Sequence, residues 1–409
     1  MWVIRDKSAA YLRQFNRNLW ILSLGWLVSA VGFAAAIPFI GIYFHSEFGM
    51  SITEIGIFFG VMAIVRSLFQ AIGGEVSDRM QRRRLLILSQ VARAAVFVVL
   101  AGAVQWHWGF WWCGACLLVN SIFGAIFQPV ANAMVSDILP EEKRLDGYAI
   151  TRTAGNLGWA IGPAVGGFMA ATSYALLFLI AAVATFASAL IFRFFLQARQ
   201  TEIQTDRFRM RDIIAIKDDP QLAVHSVLIF LLYLVVAQLI LPFSVYAVEI
   251  VGISEVQLGM LYMLNGGLVV FFQILMTRFL ARYSLTTQLA MGGLLYAVGY
   301  TMVGAFAGVW YFAGAIAIVT VGEMAMSPPS LTLTSRLAPA GRMGRYMGIY
   351  GFFVAAGWSF GPLYGGVILD CFKATPAVAW LVISSLAIVS AVGYLLFGRR
   401  LSAEINGNG

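Results

Sequence analysis

Charge is scarce in this chain. Lys and Arg number 27 and Asp and Glu 19 in 409 residues, 11% together. A soluble domain carries about 25%, so an ordinary water-exposed globular surface is excluded. Histidine and cysteine are scarcer still, three of each. His45, His107 and His225 have no ligand spacing, so no metal centre is expected. Cys113-x-x-Cys116 has no second pair and no nearby His, and small apolar packing explains it. Cys371 has no evident disulfide partner. No Walker loop is present, which removes an ATP-driven pump. No nucleophile–base constellation is present either, so an enzyme is not expected. Period-two alternation is missing, which argues against a β-barrel.

What the chain does have is apolar length. Hydrophobic residues make up 60% of it, and about 20 apolar residues suffice to span a bilayer as a helix. Twelve such runs can be drawn, at 18–44, 54–74, 85–105, 110–135, 147–169, 174–195, 222–246, 256–277, 286–307, 309–334, 346–369 and 375–398. With odd loops on one side and even loops on the other, 23 of the 27 Lys and Arg fall on one side. Only Lys373 falls on the other, and Arg66, Arg93 and Arg152 lie inside spans. This positive-inside pattern puts both termini in the cytoplasm. The net charge of +8 then reports topology and contact with anionic lipid, not nucleic acid. The first run is too long for a cleavable signal peptide.

The chain is also duplicated. Gly158-Trp159 to Gly166-Gly167 recurs as Gly357-Trp358 to Gly365-Gly366, 199 residues on. From Pro129 to Gly167 the offset gives ten identities in 39 positions. Earlier, Pro38-Phe39 matches Pro242-Phe243, Gly49 matches Gly252, and Phe69-Gln70 matches Phe272-Gln273. Repeats of this kind mark an architecture before any local motif does. Each half has an even number of spans, so the halves are parallel repeats. The division is 1–196 as one six-helix bundle, 197–221 as a cytoplasmic loop, and 222–409 as the second bundle. The loop is either a short amphipathic helix on the membrane surface or a solvated linker.

Between spans 2 and 3 runs Gly74-Glu75-Val76-Ser77-Asp78-Arg79-Met80-Gln81-Arg82-Arg83-Arg84. With twelve spans in two halves, this segment resembles the loop signature of the major facilitator superfamily. The resemblance covers the whole chain and implies that fold: all-α, twelve transmembrane helices in two pseudo-symmetric six-helix bundles. It further implies that Gly74, Asp78, Arg79, Arg82 and Arg83 latch the cytoplasmic side. Asp78 would face the start of span 11, since a carboxylate is stabilised at a helix N-terminus. Gln81 stands where the family usually has a second glycine. Arg152 would support the latch through Asp78 or Asp137.

Gly158, Gly162 and Gly166 share one helix face, as do Gly357, Gly361 and Gly365. With Pro163 and Pro362 bending each helix, these faces suit a gate where the halves meet. They are similar to the superfamily's antiporter signature, complete from Gly348 in span 11 and starting at Ala149 in span 5. Plain helix packing is the other reading.

Glu323 is the only carboxylate deep in a span. It lies about 20 Å before Arg336 at 1.5 Å per residue. Gly322-Glu323-Met324 with Pro328-Pro329 is similar to span 10 of drug/proton antiporters. Glu323 is therefore assigned to proton exchange or to a cationic substrate, against an internal ion pair or a neutral acid. Arg66, about 18 Å from Asp78, is assigned to an anionic substrate group or to Glu323, against a packing pair. Arg93 has a weaker case. The superfamily's antiporter arginine on span 4 has no match, and Asn120 lies in that region. Asn120, Gln128, Gln238 and Asn265 are polar groups at depth that could line a cavity. Trp26, Phe33, Phe230 and Tyr233 could wall it.

The reading is a monomeric secondary transporter with no cofactor, energised by a proton gradient. It exchanges protons for amphipathic small molecules in a bacterial inner membrane, contacting lipid but not nucleic acid. An anionic amphiphile carrier and a non-transporting sensor remain open.

Overall fold

The computed structural model describes residues 15–197, 219–339 and 343–407. Among these there is no strand. The chain forms α1 (Arg17–Phe48), α2 (Ile52–Arg79), α3 (Arg82–Gln105), α4 (Phe110–Ile138), α5 (Glu141–Ala170) and α6 (Tyr174–Phe194). The second set is α7 (Pro220–Val236), α8 (Glu255–Leu280), α9 (Leu285–Ala305), α10 (Val309–Leu337), α11 (Met343–Cys371) and α12 (Pro376–Gly398), followed by the single turn α13 (Ala403–Asn406). Each expected span is thus helical, with the seventh interrupted between Val236 and Pro242. The central loop lies almost entirely outside the described residues.

Ten of the twelve are long and apolar enough to cross a membrane. The exceptions are α5 and α9. Charged Glu141 to Arg144 and many glycines dilute α5. In α9 the diluting residues are Thr286, Thr287, Gln288 and paired glycines. Most of α9 is buried along α10 and α12, so it has little surface to offer lipid.

Local chemistry sets the boundaries. Asp219 caps α7, accepting from the amides of Gln221 and Leu222 at 3.0 and 3.1 Å, with Pro220 in the first turn. Ser254 and Gln257 form a capping box at α8. The turns repeat as the sequence does. Gly49 and Gly252 have φ of 63° and 80°, and Gly109 and Gly308 have 86° and 114°. Only glycine adopts such angles freely, so the duplicated corners need it.

The copies differ at the proline. Pro38 lies within a continuous α1. Pro242 instead follows a 3₁₀ turn at Ala237–Leu239, and a π turn at Tyr246–Ile250 closes the segment. Carbonyls loosened there find hydroxyl donors. Tyr262 of α8 donates to Leu239 at 2.5 Å, and Ser244 donates to Ile240 at 2.7 Å. Position 59, the repeat mate of Tyr262, is Phe and has no hydroxyl to offer.

Two compact units are present: 1–39 with 62–204, and 40–61 with 205–409. In the first, Leu19, Leu22, Leu86, Val130, Met134 and Phe192 make the core where the basic loops gather. Trp26 meets Phe127 edge-on at 5.5 Å. In the second, the largest core group is aromatic. Phe312 packs on Phe243, Tyr246 on Trp380, and Trp380 stacks on Tyr300, all at centroid distances of 5.4–5.5 Å.

The glycine faces are occupied as the packing reading has it. The Cβ positions of Gly158, Gly162 and Gly166 fall on Ala30, Ala34 and Ala35 of α1. Those of Gly357, Gly361 and Gly365 fall on Tyr233, Ala237 and Gln238 of the α7 segment. Each face is filled from its own unit, because a side-chain-free stripe lets the neighbouring backbone approach.

Candidate functional site

Glu323 sits on α10, one residue past a tight crossing with α9. At that crossing Gly292 and Gly322 pack against each other's helix backbone. This closeness brings Tyr296 and Tyr300, both buried, near enough to interact with the Glu323 charge. From α8, Asn265 donates to Glu323 Oε2 at 3.2 Å and to Thr320 Oγ1 at 2.9 Å. Thr320 in turn donates to the Ile316 carbonyl at 2.6 Å. One neutral amide thus holds the carboxylate, and no cation pairs with it among the described residues. Beside this turn an apolar groove of about 410 Å³ is lined by Leu268, Phe272, Met276, Val321 and Met324. The volume lies within the range of small-molecule sites.

Asn265 and Glu323 are therefore brought together, with Thr320, Tyr296 and Tyr300 as unforeseen neighbours. Gln238 is not part of this group. It is fully buried and donates to the carbonyls of Leu234 and Gly361 at 2.6 and 2.8 Å. That joins the α7 segment to α11, so its role is helix packing and its assignment to a cavity is corrected. Gln128 is exposed on α4. Asn120 is buried and donates to the Arg93 carbonyl at 3.4 Å, which ties α4 to α3.

Arg93 is the residue that the sequence undervalued. Its guanidinium is buried, donates through Nη1 to Ser29 Oγ at 3.4 Å and Gln90 Oε1 at 3.2 Å, and lies 5.3 Å from the Phe33 ring centre. It rests beside Gly124 of α4, with Nε 3.6 Å from where a Cβ would stand. Gly124 is the repeat mate of Glu323. Span 4 carries no arginine of its own there, and α3 supplies one. Arg66 of α2 is half-buried, and its charge acts on Arg93.

The basic residues near the ends of α2 and α3 divide. Gly74, Asp78 and Arg79 lie in the last turns of α2, outside the described side chains. Arg82 pairs with Asp137 of α4 and donates to the Ala133 carbonyl at 3.1 Å. Arg83 binds the last carbonyls of α6, at Phe192 and Arg193. Both serve helices of their own unit. Asp137 has Arg82 as its partner, not Arg152, and Arg152 is exposed. This corrects the expected support from Arg152 through Asp137. The Asp137 side chain is only 4% exposed. Removing it leaves the part-buried Arg82 guanidinium, 18% exposed, with only the Ala133 carbonyl, so Asp137→Ala should lose about 2 kcal/mol, the scale of one charge-assisted bond. Thermal unfolding of the detergent-solubilised protein reads this, and a melting point within one degree of wild type refutes it.

A second acid missed by the sequence works at the far end of α11. Asp370 accepts from the Thr53 amide at 2.7 Å and from Lys373 at 3.4 Å. It caps the first turn of α2. Gly56 and Gly366 let the two backbones touch at Leu363 and Ile52.

No His, Cys, Asp and Glu group able to hold a metal occurs among the described residues, and no disulfide joins Cys113, Cys116 and Cys371.

Comparison with known proteins gives a consistent result. The family model described as Major Facilitator Superfamily matches residues 22–362 and 226–405. An uncharacterized MFS-type transporter, YttB of Bacillus subtilis (strain 168), is 28% identical, with 95% of this chain and 96% of that protein covered. A Na(+), Li(+), K(+)/H(+) antiporter of Planococcus maritimus is 22% identical over 96% and 100% of the two chains. Multidrug resistance protein MdtH of Salmonella paratyphi B is 23% identical over 95% of each. Among solved structures, a bacterial homolog of the human lysosomal transporter Spinster, inward-facing and unoccupied, gives a TM-score of 0.71 at 14% identity over 93% and 94%. The nucleoside transporter NupG gives 0.77 at 12% identity over 93% and 100%.

Proposed function

The chain belongs to the major facilitator superfamily, and on that premise we propose that it is a proton-coupled exporter of amphipathic small molecules. It is an integral membrane transporter, and its relatives and fold neighbours are transporters, not enzymes. The observation that carries the finer reading is Glu323. It is an intramembrane acid held by one amide, with two buried tyrosines near it and no cation paired with it among the described residues. Intramembrane carboxylates without a fixed counter-charge are exchangeable proton sites, because a low-dielectric surround penalises the charged form. The adjoining apolar groove supports a ligand with a hydrophobic body. Two relatives carry the words antiporter and multidrug resistance in their names, which agrees with export.

In this reading the basic loops face the cytoplasm of a bacterial inner membrane. A single chain alternates access, taking a proton from outside and releasing it inside as substrate moves outward. The test is flux of amphipathic dyes in proteoliposomes under an imposed pH gradient. Substrate-dependent collapse of the gradient is expected. A protein that moves neither protons nor any cationic, neutral or anionic probe is a sensor on this fold, not an exporter.

A further inference from the structure

We propose that Arg66 and Arg93 form an oxyanion site in the first unit, which takes the carboxylate or phosphate head group of an amphipathic ligand. Both side chains lie at similar depth. Arg66 is about 20 Å before the end of α2, and Arg93 is about 17 Å past the start of α3, at 1.5 Å per residue. The ends they are measured from join in one short basic turn.

The arrangement is built and incomplete. Ser29 Oγ and Gln90 Oε1 hold Nη1 of Arg93, and Phe33 backs its guanidinium. Its Nε is buried without an acceptor. Buried donors are almost always satisfied, so one acceptor is missing. No carboxylate pairs with either arginine among the described residues, and the charge that acts on Arg93 is another cation. Two neighbouring guanidiniums inside a membrane repel, and each loses hydration. A bound anion removes both penalties.

Guanidinium geometry narrows the ligand. A planar fork matches two oxygens of one group, which carboxylate and phosphate provide and a halide does not. Gly124 leaves the Nε side of Arg93 without a side chain, whereas a residue the size of its mate Glu323 would fill it. The head group could belong to a free amphiphile or to a membrane phospholipid, and the chemistry of binding is shared. This inference deepens the exporter reading by naming the class of substrate.

The experiment uses the full chain in phosphatidylcholine nanodiscs, with dodecyl phosphate, dodecanoate and dodecanol as probes in equilibrium dialysis. The anions should bind at least about tenfold more tightly than dodecanol. Arg66→Gln and Arg93→Gln should each weaken the anions roughly ten- to hundredfold, the loss of a charge-assisted bond, and leave dodecanol unchanged. Should the Gln variants fail to fold, Arg66→Lys and Arg93→Lys keep the charge without the fork and should weaken binding about threefold or more. Competition by added phosphatidylglycerol identifies the membrane lipid as the source; its absence identifies the free amphiphile. Equal binding of anions and dodecanol to wild type overturns the site, as does unchanged anion binding in the folded variants. Arginine-dependent binding without proton-driven flux sinks the exporter and keeps the site. Flux with arginine-independent binding sinks the site alone.

Discussion

Glu323→Gln should abolish proton-driven flux in proteoliposomes, by on the order of 10²-fold or more, while the protein still purifies as a folded monomer. The substitution keeps the size of the side chain and its ability to accept from Asn265, so the α8–α10 contact survives. It removes only the exchangeable proton. Downhill movement of substrate without a pH gradient should persist, because binding and rocking need no proton at this position. Asn265→Ala gives a graded companion. It leaves the carboxylate without its amide partner, so the pH dependence of flux shifts but coupling remains. Full proton-driven flux in Glu323→Gln would remove this residue from the mechanism and direct attention to Arg66 and Arg93.

Gly166→Leu should prevent stable folding of the first half. A Cβ at Gly166 would stand 2.1 Å from the Ala35 carbonyl oxygen and 2.8 Å from the Phe39 ring. The first neighbour is backbone and cannot turn aside. Gly162 is similar, with the Val31 carbonyl at 2.8 Å and the Ala35 amide nitrogen at 2.9 Å. Separating α5 from α1 forfeits the contact along three helical turns, an effect above the usual overpacking range of about 1–3 kcal/mol. The expected readout is loss of the monodisperse peak in size-exclusion chromatography. Gly60→Ala and Gly351→Ala are the controls, since no atom lies within 4 Å of either Cβ position. A Gly166→Leu protein with wild-type elution and melting temperature would mean that α5 and α1 are not in close contact.

Helix number, order and duplication were legible because they rest on hydropathy and on corner glycines, both local properties. Glu323 was legible because a lone acid in an apolar run has no ordinary explanation. Its partner Asn265 could be suspected only as another polar residue at depth, since their 58-residue separation is closed by packing of α8 on α10. Gln238 looked equivalent by the same criterion, yet it bridges two helices. Polarity at depth does not say which way a side chain turns. Arg93 was undervalued because the antiporter comparison searched span 4 itself, whereas the guanidinium arrives there from α3. Asp370 escaped notice because it lies near a helix end, where acids are unremarkable. Its meaning depends on the start of α2 lying against α11.

The duplicated chain has placed opposite chemistry in corresponding places. In the first half the charge comes from α3, as Arg93, and α4 contributes Gly124. In the second half α10 contributes Glu323. Counting back from the matched corner glycines Gly109 and Gly308, the place of Arg93 falls on Gly292 of α9. Helix and glycine have exchanged roles, and the sign has reversed. A protein assembled from two first halves would hold guanidiniums in both and no carboxylate. One assembled from two second halves would hold only acids. The charges at these matched places therefore diverged after the duplication, in helices that began identical.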